Sequence, residues 1–380
     1  MPRVLVTGGE ERAVLAAVRC LAAHGWEPTV AAHAVPAAAQ WSRACAARVR
    51  VPDPAREPEA FVDALARALA AREHAVLLPG TDAALLAISA GRARLEPLAR
   101  IGLPPEDVVR AAVDKAALAE AAAAAGLPGP EGAVCAGETE AVAAASALGY
   151  PVVAKPRRST FRDGARVRQS GGRRVEDEAA LRALLGGSRA EWVLQRAEPG
   201  ALHSVSGVMA AGRLRAVAVS RYLRTWPVRS GNAAAAVTLA APDALVAAVE
   251  RLLAGLGWEG LFELELLRAP GGPWRPIDLN PRPFGSLALV VAAGAPLPAL
   301  WCDRLVGREP AWASARPGVR YRWEDAELRH ALWRARHGEL RAAAAVLRPR
   351  RGTVHAHLRA DDPAPFMARA LYLASRTMRR

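Results

Sequence analysis

Between Gly257 and Ser286 the chain places carboxylates, an amide and a guanidinium at short, regular spacing. Two apolar segments, Leu261 to Leu267 and Trp274 to Leu279, flank Ala269-Pro270-Gly271-Gly272, which predicts a β-hairpin. Alternation along the first segment puts Glu263 and Glu265 on one face, with Leu264 and Leu266 on the other. On the second, Asp278 and Asn280 share a face at the strand end, just before Pro281-Arg282-Pro283. Antiparallel pairing would gather these oxygens on one patch beside an arginine. Oxygen ligands suit a hard cation such as Mg²⁺, and a neighbouring arginine suits phosphate. The alternative is a solvated hairpin whose acids face water; the tight D-x-N-x-R cluster favours the metal–phosphate site.

The rest of the chain must position that hairpin. Its 380 residues are enough for two or three compact units. A hydrophobic content of 52% with aromatics at 5% fits a globular α/β protein rather than a disordered one. No charge-free apolar run approaches the roughly 20 residues of a membrane span. The start, Arg3-Val4-Leu5-Val6, reads as a strand and not as a signal peptide. Cys20, Cys45, Cys135 and Cys302 are widely spaced, which predicts reduced thiols and a cytoplasmic protein. The net charge of +14 favours anionic ligands, nucleic acid among them. Yet no helix-turn-helix, zinc-finger spacing or basic–aromatic platform is evident, and the basic residues are spread along the chain. Only two of the 51 basic residues are lysines, Lys115 and Lys155. In so arginine-biased a chain, they mark places where a compact ammonium on a flexible stem is needed.

In chain order, Arg3 to Thr7 reads as a buried parallel strand, followed by a helix from about Arg12 to His24 and a strand from Trp26 to Ala31. This start is Rossmann-like but lacks G-x-G-x-x-G, so it implies no dinucleotide site. After a helix over 57–72, the strand at His74 ends in Pro79-Gly80-Thr81-Asp82, at the sheet edge where ligands bind in open α/β folds. Thr81 and Asp82 are lesser substrate-side candidates, with Asp82 as a helix N-cap the equal alternative. Asp114-Lys115-Ala116-Ala117-Leu118 opens an alanine-rich helix that Gly126-Leu127-Pro128-Gly129-Pro130 closes. A helix over 139–148 leads to the strand Gly149-Tyr150-Pro151-Val152-Val153-Ala154-Lys155-Pro156. An arginine-rich loop from Arg157 to Gly172, holding Ser159, Thr160 and Gly164, precedes a helix over 177–185 and the strand Trp192-Val193-Leu194-Gln195-Arg196. Strands over 203–209 and 213–222 and a helix over 242–256 lead back to the hairpin. Residues 311–380 form an arginine-rich region of helices packing on the main body, with His355 and His357 read as structural.

These segments, in order, resemble the ATP-grasp superfamily. D-K-x-x-L with G-[IL]-P-x-P, the strand G-[YF]-P-[VL]-[VIL]-[VLA]-K-P, the Gln195 hinge and Asp278-Leu279-Asn280-Pro281-Arg282 match its motifs over about residues 1–310. Ser286 to Leu289, and later Arg322-Trp323 with Asp325 to Arg329, fit the carboxylate–amine ligase branch related to the carbamoyl-phosphate synthase large subunit. The resemblance implies an α/β protein: a Rossmann-like N-terminal domain, an ATP-grasp fold of two α+β subdomains, and a small C-terminal extension. The expected divisions are 1–110, a lid over 111–190, a large subdomain over 191–310, and 311–380. By the same resemblance Lys115 and Lys155 bind the ATP phosphates. Gln195 and the backbone of Arg196 and Glu198 read adenine, Glu265, Asp278 and Asn280 hold Mg²⁺, and Arg282 is catalytic. Two departures stand out: aspartate at 278 where glutamate is usual, and Leu202 or His203 where a ribose-binding glutamate is common.

The implied reaction is ATP-dependent joining of a small carboxylic acid, such as an amino acid, to an amine through an acyl phosphate, releasing ADP and phosphate. The implied cofactors are ATP and Mg²⁺, with a homodimer as a fair expectation and no membrane partner. Two other readings stay open: a nucleotide-binding module without turnover, and a basic nucleic-acid-binding protein.

Overall fold

The computed structural model describes every residue except 159, 164, 165, 170, 187, 189, 229, 230, 379 and 380, and describes 160–163, 166–169 and 375–378 by their backbone alone. The first strands are β1 (Arg3–Thr7), β2 (Glu27–Ala32), β3 (Ala47–Arg50), β4 (Val76–Leu78) and β5 (Arg100–Ile101). They form a parallel sheet in the order β3-β2-β1-β4-β5. The central strand is apolar on both faces, as a covered parallel sheet requires: Leu5 enters one core and Val4 and Val6 another. At the strand ends a Cβ on Gly80 would lie 2.1 Å from the Thr7 carbonyl oxygen, so only glycine fits there.

The next strands are β6 (Gly132–Cys135), β7 (Val152–Pro156), β8 (Thr160–Asp163), β9 (Arg166–Gln169), β10 (Arg173–Val175) and β11 (Trp192–Arg196). Four of them make an antiparallel sheet, β10-β7-β11-β6, and β8 pairs with β9 in a separate hairpin. That sheet has its own small core, in which Val152, Ala154 and Leu194 meet Leu181 and Leu185 of the helix Glu178–Leu185. The sheet extends to Arg196, past residue 190, because Trp192 to Arg196 pairs with both β7 and β6. The Lys115–Ala124 helix packs elsewhere: Leu118 and Ala122 belong to the main core with Phe262 and Leu264.

The remaining strands are β12 (Ala201–Ala210), β13 (Arg213–Trp226), β14 (Asn232–Leu239), β15 (Gly260–Arg268), β16 (Arg275–Asn280), β17 (Arg320–Arg322) and β18 (Thr353–His355). Together they form one seven-stranded sheet, β16-β15-β12-β13-β14-β17-β18. Strand β14 opens with Asn232 and four alanines, which are poor strand formers; burial between two neighbours makes it one. The region after 311 does more than lay helices on the body, because β17 and β18 extend this sheet. Its helix Glu324–Arg336 is tied down by buried Glu327, which accepts from Arg224 at 2.6 and 2.5 Å. Buried Asp362 reaches the helix Arg12–Ala23 and the loop before β3, accepting from Arg19 Nε at 2.9 Å, Ser42 Oγ at 2.6 Å and the Arg43 amide at 3.0 Å. His355 and His357 both face Glu324, at 3.5 and 3.3 Å, in a structural arrangement. Among the described residues no helix is long and apolar enough to cross a membrane.

Candidate active site

The hairpin forms as its alternation predicts. Glu265 pairs with Asp278 and Glu263 with Asn280 across β15 and β16, so four oxygen-bearing side chains meet at one sheet edge. On the opposite face Phe262, Leu264 and Leu266 are fully buried. Each contributes about 1.5–3 kcal/mol of burial and so holds the register that keeps the acids together. Glu263 is itself buried, accepting from Ser286 Oγ at 2.9 Å, Tyr222 at 3.3 Å and Asn280 Nδ2 at 3.3 Å. Glu265 accepts from the Tyr222 hydroxyl at 2.9 Å. Burial first, then repulsion from Glu263 and Asp278, pushes Glu265 up to about 8.

A bulge sits between Glu265 and Leu266: Asp278 and Pro276 are paired while Ile277 between them is not. The Ile277 carbonyl is thereby available, and Lys155 Nζ donates to it at 2.7 Å from across the cleft. Lys155 ends β7, and its stem passes over Gly172, where a Cβ would stand 2.8 Å from Lys155 Cγ. Burial lowers the Lys155 ammonium to about 8, against the attraction of Asp278. Lys115 Nζ lies 3.6 Å from Asp278 Oδ1. Asp114 caps its helix, accepting from the amides of Ala116 and Ala117 at 3.0 and 3.3 Å. Both lysines therefore converge on β16 from outside the seven-stranded sheet. Together with Gln195, Leu118 and Pro276 they line a cleft with about 10 Å³ of free space, room for one water. Anything larger than a water enters only if this cleft opens.

Arg282 is gripped from the first sheet. Its Nε and Nη2 donate to the two carboxylate oxygens of Asp82 at 2.6 and 3.0 Å, and Nη2 also reaches Asn280 Oδ1 at 3.1 Å. Burial opposes its charge, but Asp82 outweighs that and holds the guanidinium firmly protonated. The cap of the helix Asp82–Ala90 is Thr81, which accepts from the Ala84 amide at 3.1 Å, and not Asp82. Asp82 is free for Arg282 because the neighbouring hydroxyl satisfies the helix end.

Other expected residues lie apart from this cluster. The Arg196 side chain is exposed and pairs with Glu131 at 2.9 Å, and Glu198 pairs with Arg275 at 2.7 Å. What is left for a ligand is their backbone, less the Arg196 amide, which donates to the Glu131 carbonyl at 2.8 Å. Arg157 and Arg158 both turn back onto Asp114, at 2.8 and 3.1 Å, so neither is a spare phosphate clamp. Ser159 and Gly164 of the same loop lie outside the described residues, as does the Thr160 side chain. His203 packs edge-on against Trp274, ring centroids 5.0 Å apart. Tyr222 was not anticipated, and Ser286, read only as part of the segment after Arg282, was given no role at the acids. Alternation could have found Tyr222, since Ser220 on the same strand is opposite Ser204, which is itself opposite Glu265.

The donor set tests whether a hard cation fits. Glu265 and Asp278 stand side by side with Glu263 and Asn280 next to them, and crowded buried carboxylates are what a divalent ion relieves. Among the described residues no three acidic, histidine or cysteine side chains already form a finished metal cage. Tyr222 and Lys115 engage Glu265 and Asp278 instead. The residue types and their placement fit Mg²⁺; its arrival requires those two partners to give way.

As a sequence, the chain matches no family model and no curated protein. Solved structures do match. N5-carboxyaminoimidazole synthetase from Staphylococcus aureus, complexed with ADP, superposes at a TM-score of 0.64 with 13% identity, over 83% of this chain and 80% of that one. The chain has the ATP-grasp fold. Two further structures share it. L-amino acid ligase from Bacillus licheniformis superposes at 0.59 with 16% identity, covering 81% of this chain and 74% of that one. The biotin carboxylase domain of the Hydrogenobacter thermophilus 2-oxoglutarate carboxylase, in complex with MgADP, ADP and bicarbonate, superposes at 0.61 with 17% identity, covering 84% and 73%. The ATP-grasp fold accounts for the layout here: a parallel sheet, a four-stranded sheet bearing Lys155, and a larger, mostly antiparallel sheet bearing the acids.

Proposed function

We propose that the protein is an ATP-dependent carboxylate–amine ligase. One observation carries the reading: Lys115 and Lys155 reach from outside the large sheet onto the strand that presents Asp278 and Asn280, two to four residues before Arg282. Cations from three parts of the fold thus face a pair of antiparallel acidic strands, which suits a polyphosphate bound with a metal. Solved structures with the same fold include complexes with ADP and with MgADP, which supports ATP and Mg²⁺ for this chain.

A carboxylate is a poor electrophile, so it must be activated before an amine can attack. In the proposed reaction a carboxylate oxygen bonds to the γ-phosphorus of ATP, the bond to the β-phosphate oxygen breaks, and ADP leaves. The amine nitrogen then attacks the acyl carbon, the carbon–oxygen bond breaks, and phosphate leaves while the nitrogen gives up a proton. Phosphoryl transfer spreads negative charge over equatorial oxygens, so catalysis is chiefly positioning and neutralisation. Arg282, fixed by Asp82, offers its charge to the transferring group. Lys115 and Lys155 hold the phosphates once they leave Asp278 and Ile277. Gln195 and the backbone of Arg196 and Glu198 take the adenine side of the cleft. Glu265, Asp278 and Asn280 would hold Mg²⁺, which supplies charge neutralisation when bound. The four-stranded sheet, built from strands between Gly132 and Arg196, acts as the lid, while the Lys115–Ala124 helix stays with the main core.

A second reading, a nucleotide-binding module without turnover, is supported by the side chain at 278, a short aspartate engaged by Lys115. The deciding experiment incubates the protein with Mg·ATP and pooled acids and amines and follows ADP release. Acid- and amine-dependent ADP, lost in Arg282→Ala, is expected. Nucleotide binding with no ADP from any pair would leave only the second reading.

A further inference from the structure

The region after 311 carries fifteen arginines against six acids, and so nine of the chain's fourteen net positive charges. It also holds most of the apolar surface: of eleven exposed large apolar residues among those described, eight lie between Leu328 and Leu371. Charge and apolar surface meet on the helices Glu324–Arg336 and Leu340–Leu347. These run antiparallel, since Arg322, just before the first, donates through Nη2 to the Val346 carbonyl near the end of the second, at 2.7 Å.

The seam between the two helices is made of small residues: Ala331 and Ala335 meet Ala343 and Val346. The leucines, which would bury more, are left outside it. Leu328 and Leu332, one turn apart, and Leu340 and Leu347, two turns apart, are between 49% and 68% exposed. By helical spacing both pairs fall on the same side of the seam, turned away from the body. The other side is fastened to the large sheet, where Glu327 accepts from Arg224 and His330 Nδ1 donates to the Thr225 carbonyl at 3.1 Å. Four leucines gathered on one rigid face, rather than scattered, mark a docking surface.

Charge says what docks there. Arg329 and Arg336 lie two turns apart along the outer flank of the first helix, and Arg341 and Arg348 along that of the second. All four are exposed, and none makes an ion pair among the described residues. The acids of the helix pair are already taken: Glu324 faces His355 and His357, Asp325 accepts from Arg369, Glu327 from Arg224 and Glu339 from Arg334. A second copy would set arginine rim against arginine rim, which repels. A nucleic acid would answer the arginines and leave the leucines wet. The leucines stand in two rows beside an alanine seam, a trough that takes one further helix, whereas a flat lipid surface would touch the rows and leave the seam empty.

We propose that this helix pair docks an acidic amphipathic helix of another protein, its apolar stripe seated between the leucine rows and its carboxylates on the arginine rims. Docking here goes beyond the ligase reading and does not depend on it, because none of these side chains belongs to the group around Arg282.

The test uses the full chain and a defined probe: a labelled, end-blocked peptide of about fourteen residues, or four helical turns, with leucines three and four apart and glutamates on both flanks. Two controls replace every glutamate by lysine or every leucine by alanine. By fluorescence anisotropy the probe binds at about 100 µM or tighter, about tenfold or more tighter than either control, and weakens as salt rises. Leu332→Glu and Leu340→Glu, at exposed positions where the melting temperature should not move, each weaken it about tenfold or more. Arg336→Glu weakens the glutamate probe and strengthens the lysine control. No binding of the probe, equal binding of either control, or equal binding by wild type and Leu332→Glu overturns the proposal. Binding to phosphatidylglycerol vesicles or to a DNA duplex that Leu340→Ala abolishes, or a dimer in sedimentation that the same change disperses, gives the face to another occupant and overturns it too.

Discussion

Asp82→Asn isolates the grip of the first sheet on Arg282. In the wild type this pair has bonds of 2.6 and 3.0 Å, with the two side chains only 19% and 12% exposed. Removing one partner of a buried pair costs about 3–5 kcal/mol, because the other charge is left uncompensated. Asparagine keeps the volume and one acceptor, and Asn280 and the Pro283 carbonyl still accept from Arg282, so the lower end applies, about 3 kcal/mol. At roughly 2.1 cal/mol/K per residue, a chain of 380 residues has an unfolding entropy near 0.8 kcal/mol/K, and the melting temperature falls by about 4 °C. A bound polyphosphate should restore the missing negative charge. With Mg²⁺ and a non-hydrolysable ATP analogue the gap between variant and wild type shrinks, by about 1 kcal/mol or more. The pH dependence has a definite sign. Burial raises the Asp82 pKa but Arg282 outweighs it, so the folded value lies below the ordinary one. The pair's contribution is therefore present above about pH 4 and lost as pH falls through the folded value, so the gap stays constant from about pH 5 to 8 and closes in acid. Scanning calorimetry reads all three effects. A shift under about 1 °C, or a gap unchanged by saturating analogue, would falsify the placement of the phosphates beside Arg282.

Lys155→Ala should weaken Mg·ATP at least about a hundredfold by calorimetry, since a desolvated phosphate contact is lost; near-normal affinity would remove this lysine from the phosphate site. Burial and then Glu263 and Asp278 raise Glu265 to about 8, so the folded apo-protein holds a proton that the unfolded chain releases near pH 4.3. Its stability in urea should fall as pH rises from about 5 to 8, and Glu265→Gln should flatten that slope. Above pH 8 Lys155, lowered to about 8, adds the opposite trend, and a slope unchanged in Glu265→Gln assigns the titration elsewhere. Asp362→Ala leaves buried Arg19 without its carboxylate and should cost about 3–5 kcal/mol. Limited proteolysis should then cut before the helix Ala364–Met378, and resistance equal to wild type would mean the strap is not what holds that helix.

The acidic hairpin and the strands facing it were legible because their parts are local. The Glu265 and Asp278 pairing follows from alternation and a tight Ala-Pro-Gly-Gly turn over twenty residues, and Lys155 and Gln195 sit on strands readable by themselves. What could not be read depends on register or on distant partners. The bulge at Ile277 decides where Lys155 rests, yet an extra residue in one strand leaves no mark until its partner is known. Half of strand β14 is alanine, and pairing with its neighbours makes it a strand. Asp82 and Arg282 are 200 residues apart, so the choice between cap and ion pair had no local answer. The same rule holds outside the hairpin. The hairpin presents charges that any polyphosphate needs, whereas Arg12 meets Trp323 across more than 300 residues, through a region strapped down by Asp362. Contacts of that kind exist only in the folded chain, so no local pattern in the sequence announces them.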